Sequence, residues 1–175
     1  MIIVTGGAGF IGSNLCQHLS DFIYENDLIL CDIFSSDEKW KNISRIHFGN
    51  IISPNEIKPF VEDNSQNIDA IVHLGAISDT TERNVDLIID TNFKLSCTLW
   101  NLCAKHDIKF IYASSAATYG DGKNGFIDSF EIDYLNKLEP INAYAWSKNL
   151  FDKWVYSNVT NLNCPQVWAG LKFFN

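Results

Sequence analysis

The stretch Thr5-Gly6-Gly7-Ala8-Gly9-Phe10-Ile11-Gly12 joins an apolar run, Met1 to Thr5, to a segment carrying Ile11, Leu15 and Leu19. A short apolar run closed by glycines predicts a buried strand, and the spacing of the three leucine-type positions predicts a helix over 10–19. Between them the glycines fall as G-x-x-G-x-x-G at 6, 9 and 12. Such a turn uses its first glycine to bend tightly and its second to let the backbone approach a pyrophosphate. The third lets helix and sheet pack closely. The helix start then offers unpaired N–H groups and the positive end of its dipole to the anion. Asp32 stands twenty residues past Gly12, at the end of the next predicted strand. A carboxylate there accepts hydrogen bonds from an adenosine ribose. A ligand-free glycine turn is the competing reading. The strand before, the helix after and the acid at this distance together outweigh it, and Gly6, Gly9, Gly12 and Asp32 become candidate dinucleotide contacts.

Outward from this turn the pattern alternates. Strands are predicted over 27–31, 45–49, 69–74, 109–114 and 167–174, and helices over 53–61, 84–106 and 143–157. Ser53 reads as the N-cap of the second helix, with Pro54 at its first position. Strands alternating with helices predict an α/β fold, a Rossmann-type doubly wound parallel sheet with helices on both faces. Two connections, 34–44 and 120–142, are longer than the rest, and long loops in small domains often carry function. At 175 residues, 46% hydrophobic and 19% charged, the chain reads as a single dinucleotide-binding domain over 1–175. A domain of this size buries about 70% of its unfolded surface without staples. The last predicted strand runs to the chain end with no helix after it, so a small substrate domain is expected beyond 175.

Charge and composition exclude several classes. The net charge of −8, from 13 basic and 21 acidic residues, disfavours nucleic acid, whose binding rests on Lys and Arg neutralising phosphates. No stretch approaches 18 consecutive apolar residues, and the N-terminus lacks the basic segment and cleavage site of a signal peptide. The cysteines, Cys16, Cys31, Cys97, Cys103 and Cys164, are odd in number, lack a C-x-x-C pair and lie mostly among apolar residues. They read as reduced, buried thiols of a cytoplasmic protein. His18, His47, His73 and His106 show no ligand spacing with them, so no metal is expected.

Tyr144-Ala145-Trp146-Ser147-Lys148 places a phenol and an ammonium on one helix face. A free phenol titrates near pH ~10 and is a poor base at neutral pH. A neighbouring ammonium stabilises the phenolate. Alone, Y-x-x-x-K is an ordinary amphipathic pattern. Here it follows Ser114-Ser115-Ala116-Ala117-Thr118-Tyr119-Gly120, at the carboxyl end of a predicted strand, where sheets of this kind hold ligands. Asp32 as a bare carboxylate repels a 2′-phosphate and favours NAD. Lys39, seven residues on, can offset that repulsion and hold the phosphate of NADP, or it can be a solvated loop lysine.

These residues, in this order, resemble the extended short-chain dehydrogenase/reductase superfamily of nucleotide-sugar epimerases and dehydratases. Within it the chain is most similar to the ADP-L-glycero-D-manno-heptose 6-epimerase family. The stretches that carry the likeness are His73 to Glu82 (HLGAISDTTE), Ala113 to Gly120 (ASSAATYG), Tyr144 to Asp152 (YAWSKNLFD) and Gly170 to Asn175 (GLKFFN). The resemblance implies that Phe10 and Ile11 lie over the pyrophosphate and that Asp32, Ile33 and Lys39 surround the adenosine end. It implies that Leu74, Gly75, Ala76, Ile77, Ser78 and Asn92 line the cofactor. Ser115 and Tyr144 then sit at the reacting hydroxyl, Lys148 bridges tyrosine and ribose, and Asn175 contacts substrate. The family uses NADP, although Ile33 stands where relatives often carry a polar residue. The implied activity is interconversion of ADP-D-glycero- and ADP-L-glycero-D-manno-heptose, a small-molecule reaction of lipopolysaccharide core synthesis, by a homo-oligomer when full length. Two other readings stay open: a dinucleotide-binding fragment without turnover, and another nucleotide-sugar 4-epimerase or dehydratase.

Overall fold

A computed structural model describes residues 1–35 and 38–174. In chain order the elements are β1 (Ile2–Thr5), α1 (Phe10–Ser20), β2 (Leu28–Cys31), α2 (Trp40–Ile43), β3 (Asn50–Ile52), α3 (Ile57–Asn64), β4 (Ala70–His73), α4 (Val85–Ile88), α5 (Leu95–His106), β5 (Lys109–Ser115), α6 (Ile132–Leu135), α7 (Ala143–Thr160) and β6 (Trp168–Phe173). The strands form one sheet in the order β3-β2-β1-β4-β5-β6, with every pairing parallel. This is the Rossmann order, and it reverses direction between β1 and β4.

Alternation along the strands sends side chains to two cores. Val4, Leu28 and Leu30 meet Ala8, Cys16, Ile43 and Ile46 on the face covered by α1 and α2. Ile3, Ile29, Ile71, Phe110 and Tyr112 meet Val61, Leu99, Trp100, Phe151 and Val155 on the face covered by α3, α5 and α7. Strands buried on both faces read as unbroken apolar runs, which is why β1 and β2 are IIVT and LILC.

Three expected elements shift. The third strand is Asn50–Ile52, not 45–49. Ile46 is buried, but in the turn that leaves α2, where its N–H bonds the Ile43 carbonyl. Gly49 then delivers the chain to the sheet, its N–H bonding the Leu28 carbonyl, and pairing runs from Asn50 opposite Ile29. Ile46 and Phe48 thus imitate a strand's alternation while packing as a turn. The second helix begins at Ile57, one turn late. Ser53 is not its cap: both the Ser53 amide and hydroxyl donate to the Glu56 carboxylate, closing a separate turn. The long helix over 84–106 is present, but Ile89–Lys94 between α4 and α5 is a π-helical turn. The two long loops contain the single-turn helices α2 and α6.

The largest fully buried side chain among the described residues is Trp100, which meets Phe110, Trp154 and Trp168 edge-on at centroid distances of 5.9, 6.2 and 5.3 Å. Its indole N–H donates to the Asn163 carbonyl at 2.9 Å. Trp100→Ala should cost about 3–5 kcal/mol, read as a lowered urea midpoint.

Candidate functional site

The carboxyl ends of β1, β2, β4 and β5 open onto a cleft of ≈ 660 Å³. Its floor is the glycine turn. Gly6 has φ +67°, and a Cβ there would lie 2.7 Å from the Gly75 amide nitrogen, so the ends of β1 and β4 touch through backbone alone. A Cβ on Gly12 would lie 2.1 Å from the Gly6 carbonyl oxygen, which leaves only glycine where α1 meets the turn. The N-cap of α1 is Gly9, with no side-chain cap and no acidic residue in the first turn. Its first N–H groups therefore stay open toward the cleft, and Phe10 is 84% exposed at the lip. This cradle fits a pyrophosphate in both shape and polarity.

Asp32 ties the turn to the end of β2. Its Oδ2 accepts the Ala8 N–H at 2.8 Å, and its Oδ1 accepts the Ile33 N–H and the Lys39 ammonium, each at 2.7 Å. Asn42 closes the same corner by donating to the Ala8 carbonyl at 2.9 Å. Ile33 itself is 56% exposed and is not among the residues lining the cleft.

Leu74, Gly75, Ala76 and Ser78 form one wall. Asn92 lies behind it. It is buried, accepts the Ile77 N–H at 2.8 Å, returns a bond to the Ile77 carbonyl at 2.9 Å and donates to Ser147 Oγ at 3.1 Å. The amide of Asn92 is thus spent on the wall, and neither Asn92 nor Ile77 lines the cleft. Asn92 stands within the π-helical turn Ile89–Lys94, and such turns are frequent at functional sites.

Beneath the wall a buried chain of bonds settles the state of His73. Ser96 Oγ donates its proton to the Asn92 carbonyl at 2.6 Å, so it accepts from His73 Nε2–H at 2.8 Å. The bare Nδ1 then accepts from Thr5 Oγ1 at 2.7 Å, and Thr5 accepts the Gly75 N–H at 3.0 Å. Burial, with the Lys148 charge adding to it, holds His73 down at about 3 from its ordinary 6.5. The ring is neutral and serves as scaffold.

The opposite wall carries the reactive groups. Asn142 caps α7 by accepting the Ala145 N–H at 2.8 Å, which places Tyr144 in the first turn. Tyr144, Lys148 and Ser115 line the cleft together with the glycine turn, Asp32 and Lys39. The Lys148 ammonium is buried and donates to the Ala113 carbonyl at 2.8 Å. Burial pushes it down to about 8, with the Asp152 charge opposing. Ser115 Oγ accepts the Ala117 N–H at 3.1 Å, leaving its proton for a ligand. The thiols of Cys16, Cys31, Cys97 and Cys103 are pushed up to about 12 by burial and are not nucleophiles.

Most of the expected residues therefore converge. Asn175 lies outside the described residues. Sequence reading missed the scaffold roles of Thr5 and His73, and it missed Asp152 and Lys172, which contact β5 from behind. The continued four-residue step from Tyr144 through Lys148 to Asp152 was the available signal for Asp152.

Comparison with known proteins gives the lineage. The model of the NAD dependent epimerase/dehydratase family matches residues 2–167. The chain belongs to this family. Among its relatives, the ADP-L-glycero-D-manno-heptose-6-epimerases of Fusobacterium nucleatum and Nitratidesulfovibrio vulgaris are 43% and 41% identical over the whole chain. The chain covers 52% and 53% of those proteins, so it spans about half the length of the curated relatives it matches. The crystal structure of Helicobacter pylori ADP-L-glycero-D-manno-heptose-6-epimerase superposes with a TM-score of 0.81 at 30% identity, over 99% of this chain and 54% of that one. Bacillus cereus UDP-glucuronic acid 4-epimerase, solved in complex with NAD, superposes at 0.75 and 25% identity, over 99% of this chain and 56% of that one. Within the family the chain resembles the heptose epimerases in fold and in sequence.

The neutral state of His73 makes a pH prediction. An unfolded chain takes up a proton at this residue as pH falls past 6.5, and the folded chain does not until about 3. The stability it contributes is full above the first value and is lost as pH falls toward the second. His73→Gln should lower stability at neutral pH yet flatten the acid loss across that window, as measured by urea unfolding at a series of pH values.

Proposed function

We propose that the chain, 1–175, is the dinucleotide-binding domain of an ADP-glyceromanno-heptose 6-epimerase that uses NADP. The observation that carries this reading is the meeting of the glycine turn, Asp32, Lys39, Ser115, Tyr144 and Lys148 in one cleft. Identity of 43% to a relative named for that reaction supports the substrate.

The glycine turn and the start of α1 would hold the pyrophosphate, and the Leu74–Ser78 wall the nicotinamide side. Lys39 supports the phosphorylated cofactor. Paired at 2.7 Å, it offsets the Asp32 charge that would repel a 2′-phosphate, and among the described residues it makes no other bond. Lys41, paired with Glu38 at 2.7 Å, and Asn42 line an adjoining recess with Gly9 and Phe10.

When bound, the nicotinamide supplies the acceptor and donor of a hydride for transient oxidation at C6″ of the heptose. Tyr144 is the general base that takes the proton of the C6″ hydroxyl. Lys148, one helical turn on and lining the same cleft, supplies a positive charge on the side of the base. Ser115 donates to the reacting oxygen as its charge develops. Epimerisation then requires the sugar to present its other face before reduction, which places the selectivity in groups that hold the heptose.

Two measurements test this. Calorimetry should show NADP(H) bound more tightly than NAD(H), and Lys39→Ala should weaken NADP(H) with little effect on NAD(H). Equal or tighter NAD(H) binding by the unaltered chain would overturn the cofactor assignment. With ADP-heptose and the full-length protein, Tyr144→Phe should lower turnover by about 10²–10⁴-fold while cofactor binding stays nearly intact. Near-normal turnover would place the base elsewhere, and release of a 4-epimer or a dehydrated sugar would reassign the reaction.

A further inference from the structure

Behind the cleft, on the sheet face covered by α7, the wall of a second cavity of ≈ 590 Å³ carries a cluster of polar side chains that the epimerase reading leaves unused. Asp152 is 3% exposed. It accepts from the Tyr112 hydroxyl at 3.1 Å, Ser114 Oγ at 2.7 Å and the Lys172 ammonium at 2.6 Å. Lys172 comes from the edge strand β6. It also donates to Thr118 Oγ1 at 2.8 Å, approaches Ser114 Oγ at 3.4 Å and stands 5.2 Å from the centre of the Tyr119 ring. Thr118 donates to the Ser115 carbonyl at 2.8 Å, and Lys148 to that of Ala113. Four consecutive positions of β5 are thus gripped: Tyr112 and Ser114 by Asp152, Ala113 by Lys148, Ser115 by Thr118.

The cluster also decides what charge Lys148 meets. Asp152, one helical turn on along α7, acts on its charge, and His73 of β4 feels it in turn. Asp152 is itself bonded by Tyr112 of β5 and Lys172 of β6, and Lys172 stands over the Tyr119 ring. His73 is neutral, and burial beside Asp152 keeps the Tyr112 phenol protonated. The fixed charges are therefore the carboxylate of Asp152 and the ammonium of Lys172. Lys172 alone would place a second cation behind a buried lysine. Asp152 cancels it and still presents its carboxylate one helical turn from Lys148.

We propose that Asp152, paired with Lys172, is a positioning residue that keeps Lys148 cationic in its buried seat. Its functional meaning rests on the placement of Lys148 beside the reacting hydroxyl. The pairing itself does not, because the charge on Lys148 can be read without substrate or cofactor.

The test is an NMR titration of the chain with carbon-labelled lysine side chains, the Lys148 signal being assigned by its loss in Lys148→Met. Removing the anion leaves Lys172 uncompensated, so Asp152→Asn should lower the Lys148 midpoint by about one pH unit. Removing the cation has the opposite sign, so Lys172→Met should raise it. The double variant should return it close to the unaltered value, and Asp152→Glu and Lys172→Arg should leave it there. A role in packing alone has no reason to give opposite signs or cancellation. Single variants that move the midpoint the same way, or leave it unmoved, overturn the proposal. If Asp152→Asn does not fold, Lys172→Met decides, and a midpoint at or below the unaltered value overturns the proposal. A failed epimerase assay leaves this result standing, and a failed titration leaves the epimerase reading standing.

Discussion

Backbone contact between Gly6 and Gly75 is the constraint on which the rest of the structure hangs. With 2.7 Å between a hypothetical Gly6 Cβ and the Gly75 amide, no side chain can separate the ends of β1 and β4. These are the strands at which the sheet reverses its order, and a cleft forms where successive connections leave in opposite directions. The close approach fixes where the cleft begins. The open N–H groups of α1 lie on one side of it and the Leu74–Ser78 wall on the other. Thr5 makes the contact directional, since its hydroxyl accepts the Gly75 N–H while giving its own proton to His73.

The walls owe their shape to buried hydrogen bonds more than to apolar packing. From Gly75 the bonds run through Thr5, His73 and Ser96 to the Asn92 carbonyl. The Asn92 amide then reaches Ser147, which bonds the carbonyl of Tyr144. An apolar core tolerates substitution when volume is kept, but a chain of paired donors and acceptors accepts one arrangement only. The glycine turn and the helix bearing Tyr144 come from distant parts of the sequence, and they are held in one register by groups with no alternative partner. That is a reason for a histidine at a position where an aliphatic residue would bury more cheaply.

What was legible in the sequence was local. The glycine spacing, Asp32 at the end of β2 and Tyr144 with Lys148 on one helix face are patterns within a strand or a few helical turns, and local geometry alone makes them meaningful. The edge strand was misplaced because Ile46 and Phe48 alternate as a strand would, and only the pairing partner Ile29 shows where the ladder starts. Asn92 was read as lining the cofactor. The π-helical turn in which it stands leaves no compositional trace, because nothing in IDTNFK departs from a helix. Asp152 and Lys172 escaped for a different reason. They are twenty residues apart on different elements, and a lone lysine in a strand looks like a solvated edge residue until the sheet order places it over α7.

Two acid–lysine pairs, one in the cleft and one behind it, meet the same electrostatic problem with opposite requirements. Each has an almost fully buried carboxylate paired with a partly covered lysine, Asp32 with Lys39 at 2.7 Å and Asp152 with Lys172 at 2.6 Å. Desolvating a carboxylate is costly unless its charge and lone pairs are matched, and both acids are matched by backbone or hydroxyl donors as well as by the lysine. They differ in where the lysine's remaining protons point. Those of Lys172 go to Thr118 and toward Ser114, so that pair is tied to β5 and its turn and bears on the cleft through its field at Lys148. Lys39 shows no bond beyond Asp32 among the described residues and lines the cleft, so the pair it forms is open on the ligand side. A lysine with a single partner can exchange part of that bond for an incoming phosphate, whereas one shared among several partners resists such exchange. The proposed roles follow that difference: selection of an anion at the first pair, and maintenance of a steady charge at the second.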